Sequence, residues 1–344
     1  MTRTSSATPL RSGGFPMRRT GTTAAAAAIL SLSATVASTA AAQGNPAPPA
    51  NGGPAWAATQ QALGGKGTMQ PGNVLRFGFP RSDLQVTADG VAIKPGFALG
   101  SWVAFKRRGS SASAGAMAMG DLVLTEDEVG PVMLALQQGG VEQTALHNHV
   151  LHESPRVMYM HVAAHGDPAK IAATIRTALG ASKTPLPTAA PAGDQGDAGG
   201  AGGGAAATPI DLDTAAIART LGAAGKVNGG VYQVSVPRRE RITDHAIEVP
   251  PSMGVATAIN FQPTGGGKAA ITGDFVMVAS EVNPVIRALG EHGIQVTALH
   301  SHMLTETPRL FFMHFWANDD AALLARGLGA ALDRMAVKRT VARR

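Results

Sequence analysis

Two copies of an α+β unit are predicted, each an antiparallel sheet with helices on one face. Three observations predict this. Residues 144–161, TALHNHVLHESPRVMYMH, return at 297–314 as TALHSHMLTETPRLFFMH, with a constant offset of 153 and 11 of 18 positions identical. The same order of helical and strand-like patterns surrounds both copies. A stretch at 181–210, dominated by Ala, Gly, Pro, Thr and Asp, separates them and cannot bury enough apolar surface to order itself. The flanks have drifted where the motif has not: the next 21 aligned positions, 162–182 against 315–335, match at only 6.

In chain order, residues 1–42 are expected to be a signal peptide. Arg18 and Arg19 precede the apolar run AAAAAILSLSATVA, and Ala40-Ala41-Ala42 offers a cleavage site. The run is short and Ala-rich, which argues against a stable membrane span. The chain is therefore expected to be exported, to the periplasm or beyond. Residues 43–54 read as a flexible spacer, 55–180 as the first repeat domain, 211–335 as the second, and 336–344 as a basic, solvated tail.

Each repeat opens with a helix, around 55–63 and 213–223. Strands follow at VLRFGF (74–79) and VYQVSV (231–236), each ending in Pro-Arg, then at SWVAF (101–105) and TAINF (257–261). After a Gly- or Ser-rich loop come strands at GDLVLT (120–125) and GDFVMV (273–278). The helix that follows, 126–140 and its counterpart ending at Gly293, starts acidic and ends in glycine, as the helix dipole and C-cap favour. The repeated motif then supplies two strands, and a last helix starts near Asp167 or Asp320. This βαββα order, preceded by extra strands, predicts a ferredoxin-like core in each repeat.

The net charge of +6 is carried by the ends. Residues 1–42 hold Arg3, Arg11, Arg18 and Arg19 and no acid, leaving 25 basic against 23 acidic residues elsewhere. No basic stripe interleaved with aromatics remains, so nucleic acid is excluded as the expected partner. The chain has no cysteine, which removes disulfides, thiolate ligands and thiol nucleophiles.

The motif carries the candidate chemistry. His147, His149 and His161 in one copy, and His300, His302 and His314 in the other, are the candidate metal ligands. Histidines at i and i+2 of a strand share a face about 7 Å apart at Cα, close enough for both rings to reach one ion. Whether the returning-strand histidine shares that face depends on loop length, which the residues alone leave open. Glu153 and Glu306 are the candidate catalytic proton acceptors for a metal-bound water. A straight strand carries Glu153 about 13 Å past His149, so it is a direct ligand only where the chain bends; otherwise it orients a histidine or pairs with Arg156. The expected ion is a divalent transition metal, zinc first and copper second, because imidazole and carboxylate suit both.

Several other residues have plainer readings. Asp121 and Asp274 follow glycine at a strand start and read as turn or capping residues, with lining the site as the alternative. Arg81 and Arg238 read as strand ends, with anion binding as the alternative. Met158, Met160 and Met313 are expected in the core. The Gly265-Gly266-Gly267 run precedes a strand, not a helix, and so is no phosphate loop. His152 and His165 become Thr305 and Asn318 in the second copy and rank below the other histidines as ligands.

The spacing His-x-His-x-x-x-Glu resembles the first metal motif of cupins over those seven residues. Gly140 and Met160 depart from the rest of that pattern, so the likeness bears on ligands and not on fold. A wider resemblance rests on SWVAF, MGDLVLTEDEV, both motif copies and VPPSMGVATAINFQPTGGGKAAITGDF: the chain resembles the LppY/LpqO lipoprotein family, across about 55–335. That resemblance implies no defined reaction. Lacking cysteine, the chain is expected not to carry the lipid anchor of the lipoprotein members.

Two functions follow as expectations. One is an exported, duplicated protein that binds a divalent metal through its His-x-His motifs and uses it for storage, sensing or hydrolysis. The other is a metal-free cell-envelope module, a scaffold or binder of an unknown small molecule or envelope component, whose imidazoles form a hydrogen-bond network.

Overall fold

A computed structural model describes residues 53–109, 114–187 and 210–340. The expected signal peptide, most of the spacer, the centre of the linker and the last four residues lie outside the described residues.

The first half runs α1 (Ala57–Leu63), β1 (Thr68–Gln70), β2 (Val74–Pro80), β3 (Thr87–Ala88), β4 (Val91–Ala92), α2 (Pro95–Ala98), β5 (Gly100–Arg107), β6 (Ala116–Thr125), α3 (Glu126–Gln138), β7 (Glu142–His147), β8 (Glu153–Ser154), β9 (Val157–Gly166) and α4 (Pro168–Gly180). The second runs α5 (Thr214–Leu221), β10 (Gly225–Asn228), β11 (Val231–Pro237), β12 (Thr243–Asp244), β13 (Ile247–Glu248), β14 (Ala256–Gly265), β15 (Lys268–Met277), α6 (Ala279–Glu291), β16 (Gln295–His300), β17 (Phe311–Asp320) and α7 (Ala321–Leu332).

Each half builds a six-stranded antiparallel sheet, ordered β1-β2-β5-β6-β9-β7 and β10-β11-β14-β15-β17-β16. The predicted βαββα unit is present in both as β6-α3-β7-β9-α4 and β15-α6-β16-β17-α7. The returning strand lies between the other two in each, and β5 or β14 extends the sheet beyond it. The short strands β3, β4, β8, β12 and β13 were not legible as strands in the sequence: two-residue ladders carry no periodicity.

Both faces of each sheet are covered. Along β6, Ala116, Ala118, Leu122 and Leu124 face the helices of the same half, with Val132, Leu136 and Ile175. The intervening Met117 and Met119 face the second half, packed with Met253, Val276, Leu310 and Phe312. Val123 and Tyr159 likewise share a cluster with Val231, Ala270 and Trp316. This two-sided burial explains why MAMGDLVL and ITGDFVM read as near-continuous apolar runs rather than alternating strands. Each repeat keeps its own helix-covered core, and the two sheets additionally form a joint core between them.

Arg81 and Arg238 are buried clamps. Arg81 donates from Nη1 to Glu128 Oε2 at 2.6 Å and to the Val123 carbonyl at 2.7 Å, and pairs with Asp83. Arg238 repeats this with Glu281, the Val276 carbonyl and Glu240. Glu128 and Glu281 also accept the backbone N–H of Thr125 and Val278, at the starts of α3 and α6. The Pro-Arg pairs therefore tie a strand end to a helix start, and their guanidiniums are occupied by protein carboxylates rather than offered to an anion.

The first residues of the expected linker and tail are docked. Lys183 donates its backbone N–H to Glu128, and Thr184 is buried. Val337 is buried and bridges to Arg238, so the basic tail begins as part of the second half rather than as a solvated end.

Candidate metal centre between the halves

The sheet register decides which side chains meet. His161 in β9 stands opposite Ala145 in β7 and Asp121 in β6, while His147 stands opposite Tyr159. Directly paired residues project to the same face, so His147, His161 and Asp121 all point away from the helices. The second half repeats this: His314 pairs with Ala298 and Asp274, and His300 with Phe312. His149 and His302 lie just past the ends of β7 and β16, where their rings stack on Tyr159 and Phe312 with centroids 3.3 and 3.5 Å apart.

Because the joint core brings those faces together, the six motif histidines form one cluster and not one per half. Ring centroids lie 3.7 Å apart for His147 and His300, 3.7 Å for His161 and His302, and 3.9 Å for His149 and His314. A bulge in each of β7 and β16 helps to place them: the ladder skips Thr144 and Thr297. The freed threonines turn to the opposite half, Thr144 donating to the His302 carbonyl and Thr297 to that of His149.

Four rings have their tautomer set by the backbone. Nδ1 of His147, His161, His302 and His314 contacts the carbonyl of Tyr159, Gly120, Gly254 and Gly273, at 3.2, 3.2, 3.2 and 2.6 Å. A carbonyl only accepts, so each Nδ1 carries the proton and each Nε2 presents a lone pair to the cluster. His147 Nε2 and His314 Nε2 lie 3.4 Å apart. His302 Nε2 and His300 Nε2 are 3.1 Å apart. Two zinc–nitrogen bonds of about 2.0–2.1 Å at the tetrahedral angle separate their nitrogens by roughly 3.3–3.4 Å.

Burial holds five of the six motif imidazoles neutral. It depresses His147 and His300 far below the ordinary imidazole value, aided by neighbouring histidines, chiefly His314. His149 falls well below it for the same reasons. His161 and His302 go down to about 3, from burial opposed in part by Asp121. Neutral, lone-pair-bearing imidazole is the form that binds metal.

Asp121 and Asp274 join the cluster, the alternative to their reading as turn or capping residues. Asp274 Oδ2 lies 3.0 Å from His302 Nε2, and Asp121 Oδ2 lies 3.4 Å from His149 Nε2 and 4.0 Å from His161 Nε2. Burial raises the Asp274 carboxyl to about 7. The available signal was the Gly-Asp pair recurring at 120–121 and 273–274 with the motif's own offset.

Glu153 and Glu306 do not converge with the histidines. Each braces the loop that follows it: Glu153 accepts the backbone N–H of Val157 at 3.1 Å, and Glu306 that of Leu310 at 2.8 Å. Glu306 also pairs with Arg309 at 3.2 Å, whereas Arg156 reaches Glu126 instead. A smaller cluster of His165, Asp244 and His245 lies apart, held by Thr305 donating to Asp244 at 2.6 Å.

A cavity of about 400 Å³ opens beside the histidines between the two sheets; Trp102, Asp121, His149, Asp274, His302 and His314 are among its lining residues. Over it, Arg76 stacks on Trp102 at 3.9 Å and donates to the Ser252 carbonyl. The geometry offers grouped imidazole and carboxylate donors with an adjoining space large enough for a small molecule.

No curated protein matches the chain. Among solved structures, a trimeric bacterial microcompartment shell protein, PduB, is similar at 11% identity over 79% of this chain and 95% of that one, with a TM-score of 0.20. A family model described as "Domain of Unknown Function (DUF1259)" matches residues 57–181 and 215–334, one copy in each half, and the chain belongs to that family.

Proposed function

We propose that the protein is exported and that its two halves clamp a divalent transition metal between their motif histidines, zinc first and copper second. The observation that carries this is the pair His147 and His314. Both have Nδ1 against a carbonyl, and their Nε2 atoms face each other at 3.4 Å in a buried site. That is the nitrogen spacing of two ligands on one tetrahedral ion. The expectation of export rests on the residues before Gln43, in keeping with the lipoprotein-family resemblance.

An ion open to the cavity supplies Lewis acidity there, which fits a hydrolytic role. In that role the carboxylates that face the cavity, Asp121 and Asp274, hold the proton. This reading moves the function away from Glu153 and Glu306, which are committed to backbone N–H groups.

Elemental analysis of the purified protein, beside a His149→Ala/His302→Ala double variant, tests the proposal. Metal in the first and a marked loss in the second is the expected result. Equal, near-zero metal in both overturns it and favours the metal-free envelope module, a reading helped by the His300–His302 contact, which one proton satisfies without an ion.

A further inference from the structure

Taking the metal reading as its basis, we infer that the cluster seats two ions and that each is held by residues of both halves. His147, His149 and His314 form one seat, with Asp121 beside its open fourth position; His300, His302 and His161 form the other, with Asp274 beside it.

The number of donors is the first argument. Six imidazoles and two carboxylates converge, whereas a tetrahedral ion takes four ligands. The trio His147, His161 and His300 has its ligand atoms within 4.8 Å of one another and would suit a single central ion. Such an ion leaves His149, His302 and both aspartates buried and uncoordinated. The atoms left without a hydrogen bond mark the same places: His149 Nε2 and Asp121 Oδ1 at one seat, and His161 Nε2, Asp274 Oδ1 and His300 Nδ1 at the other, are buried and make no hydrogen bond to any described residue. Buried polar atoms are normally satisfied, and five orphans in one cluster, spread over both proposed seats, call for two ligands.

The crossing follows from the spatial exchange of the halves. The ligand atoms of His147, His149 and His314 lie within 4.8 Å of one another, so the first half's His-x-His pair is completed by the second half's returning-strand histidine. Advancing each number by 153 gives His300, His302 and, by return, His161. The ligand atoms of Asp274, His300 and His302 also lie within 4.8 Å, and the His161 ring sits 3.7 Å from that of His302. The reciprocal Thr144–His302 and Thr297–His149 bonds obey the same exchange, as expected of an isologous contact. Each ion therefore staples one half to the other.

Titration of the chelator-stripped full chain with Co(II), followed by its visible absorption, with zinc retained after desalting as a second measure, tests this. A break at two equivalents is expected. A break at one equivalent overturns the two-seat inference while leaving the metal reading standing; no binding overturns both. The crossing is read from double variants whose circular dichroism matches that of the parent. His149→Ala/His314→Ala touches one seat and is expected to lose one equivalent, whereas His149→Ala/His161→Ala touches both and is expected to lose two. Loss of both ions from the first double variant, with one retained in the second, overturns the crossed assignment.

Discussion

The Thr144 hydroxyl donates to the carbonyl of His302 at 2.8 Å, across the junction of the two halves, and Thr297 returns the same bond to His149. Both threonines sit at bulges, where the strand ladder releases them. A hydrogen bond of this kind contributes about 1 kcal/mol net, and more where its loss strands a buried partner. Thr144→Val and Thr297→Val keep the side-chain shape and are each expected to lower stability by about 1 kcal/mol, read from the urea midpoint. They should also weaken metal retention, because the carbonyls they anchor belong to two proposed ligands. Unchanged midpoints would mean that the junction is held by apolar packing alone.

Gly273 lies where a Cβ would overlap the Ala258 carbonyl on the neighbouring strand, and its own carbonyl accepts from His314 Nδ1. Gly120 is the milder case, a Cβ there falling 2.6 Å from the Trp102 carbonyl. Gly273→Ala is expected to cost about 1–3 kcal/mol through backbone displacement and to lower metal affinity by moving the carbonyl that orients His314. Gly120→Ala should do less of both. Calorimetry and metal titration on the two variants give the ranking; the reverse order would rule out the close-approach account.

Arg81 is wholly buried against Glu128, with Arg238 and Glu281 repeating the pair. Removing one member leaves an unpaired charge in the interior, at a typical cost of about 3–5 kcal/mol. Arg81→Met is therefore expected to destabilise strongly, and Arg81→Met/Glu128→Met to recover part of the loss. The recovery should be incomplete, because Glu128 also accepts from Thr125 and Lys183. Denaturant unfolding of the two variants tests this; a double variant worse than the single would point to the helix-start role of Glu128 as dominant.

Burial raises the Glu153 carboxyl to about 7, opposed by the Val157 N–H it accepts and by the charge of Arg156. The folded chain then holds a proton that the unfolded chain releases near the usual carboxylate value. This contribution to stability is complete below about pH 4.5 and is lost as pH rises through about 7. Glu153→Gln removes the titration, so the variant is expected to gain on the parent as pH rises from 5 to 8, with unchanged metal content. Parallel stability–pH curves for the two proteins would show that Glu153 ionises normally.

His161 and His302 work in the other direction. Each is held down to about 3 in the metal-free protein. The unfolded chain takes up protons below about pH 6.5 while the folded chain does not, so stability falls as pH drops from there towards 3. Acid unfolding of the chelated protein should move to higher pH than that of the metal-loaded protein only if the ion binds these rings.

Much of this was legible in the residues themselves. The duplication, the βαββα order, the helix boundaries and the six histidines as a set all follow from local periodicity and a repeated string, which depend only on neighbours in sequence. The aspartates were legible only as the lesser alternative: an Asp after Gly at a strand start looks like a cap until register pairs Asp121 with His161. Nor was the odd-or-even question, which the turn settles by pairing His147 with Tyr159 and so leaving His147 and His161 on one face.

The sequence by itself determined that each copy carries imidazoles at strand spacing, because alternation along an extended chain is a property of the backbone. Only the tertiary structure decided that the two sets face each other in one cluster, that Asp121 and Asp274 join it, and that Glu153 and Glu306 stay out. The physical reason is that burying the second face of each sheet against the other brings together groups 153 residues apart, and no local pattern encodes which faces will meet.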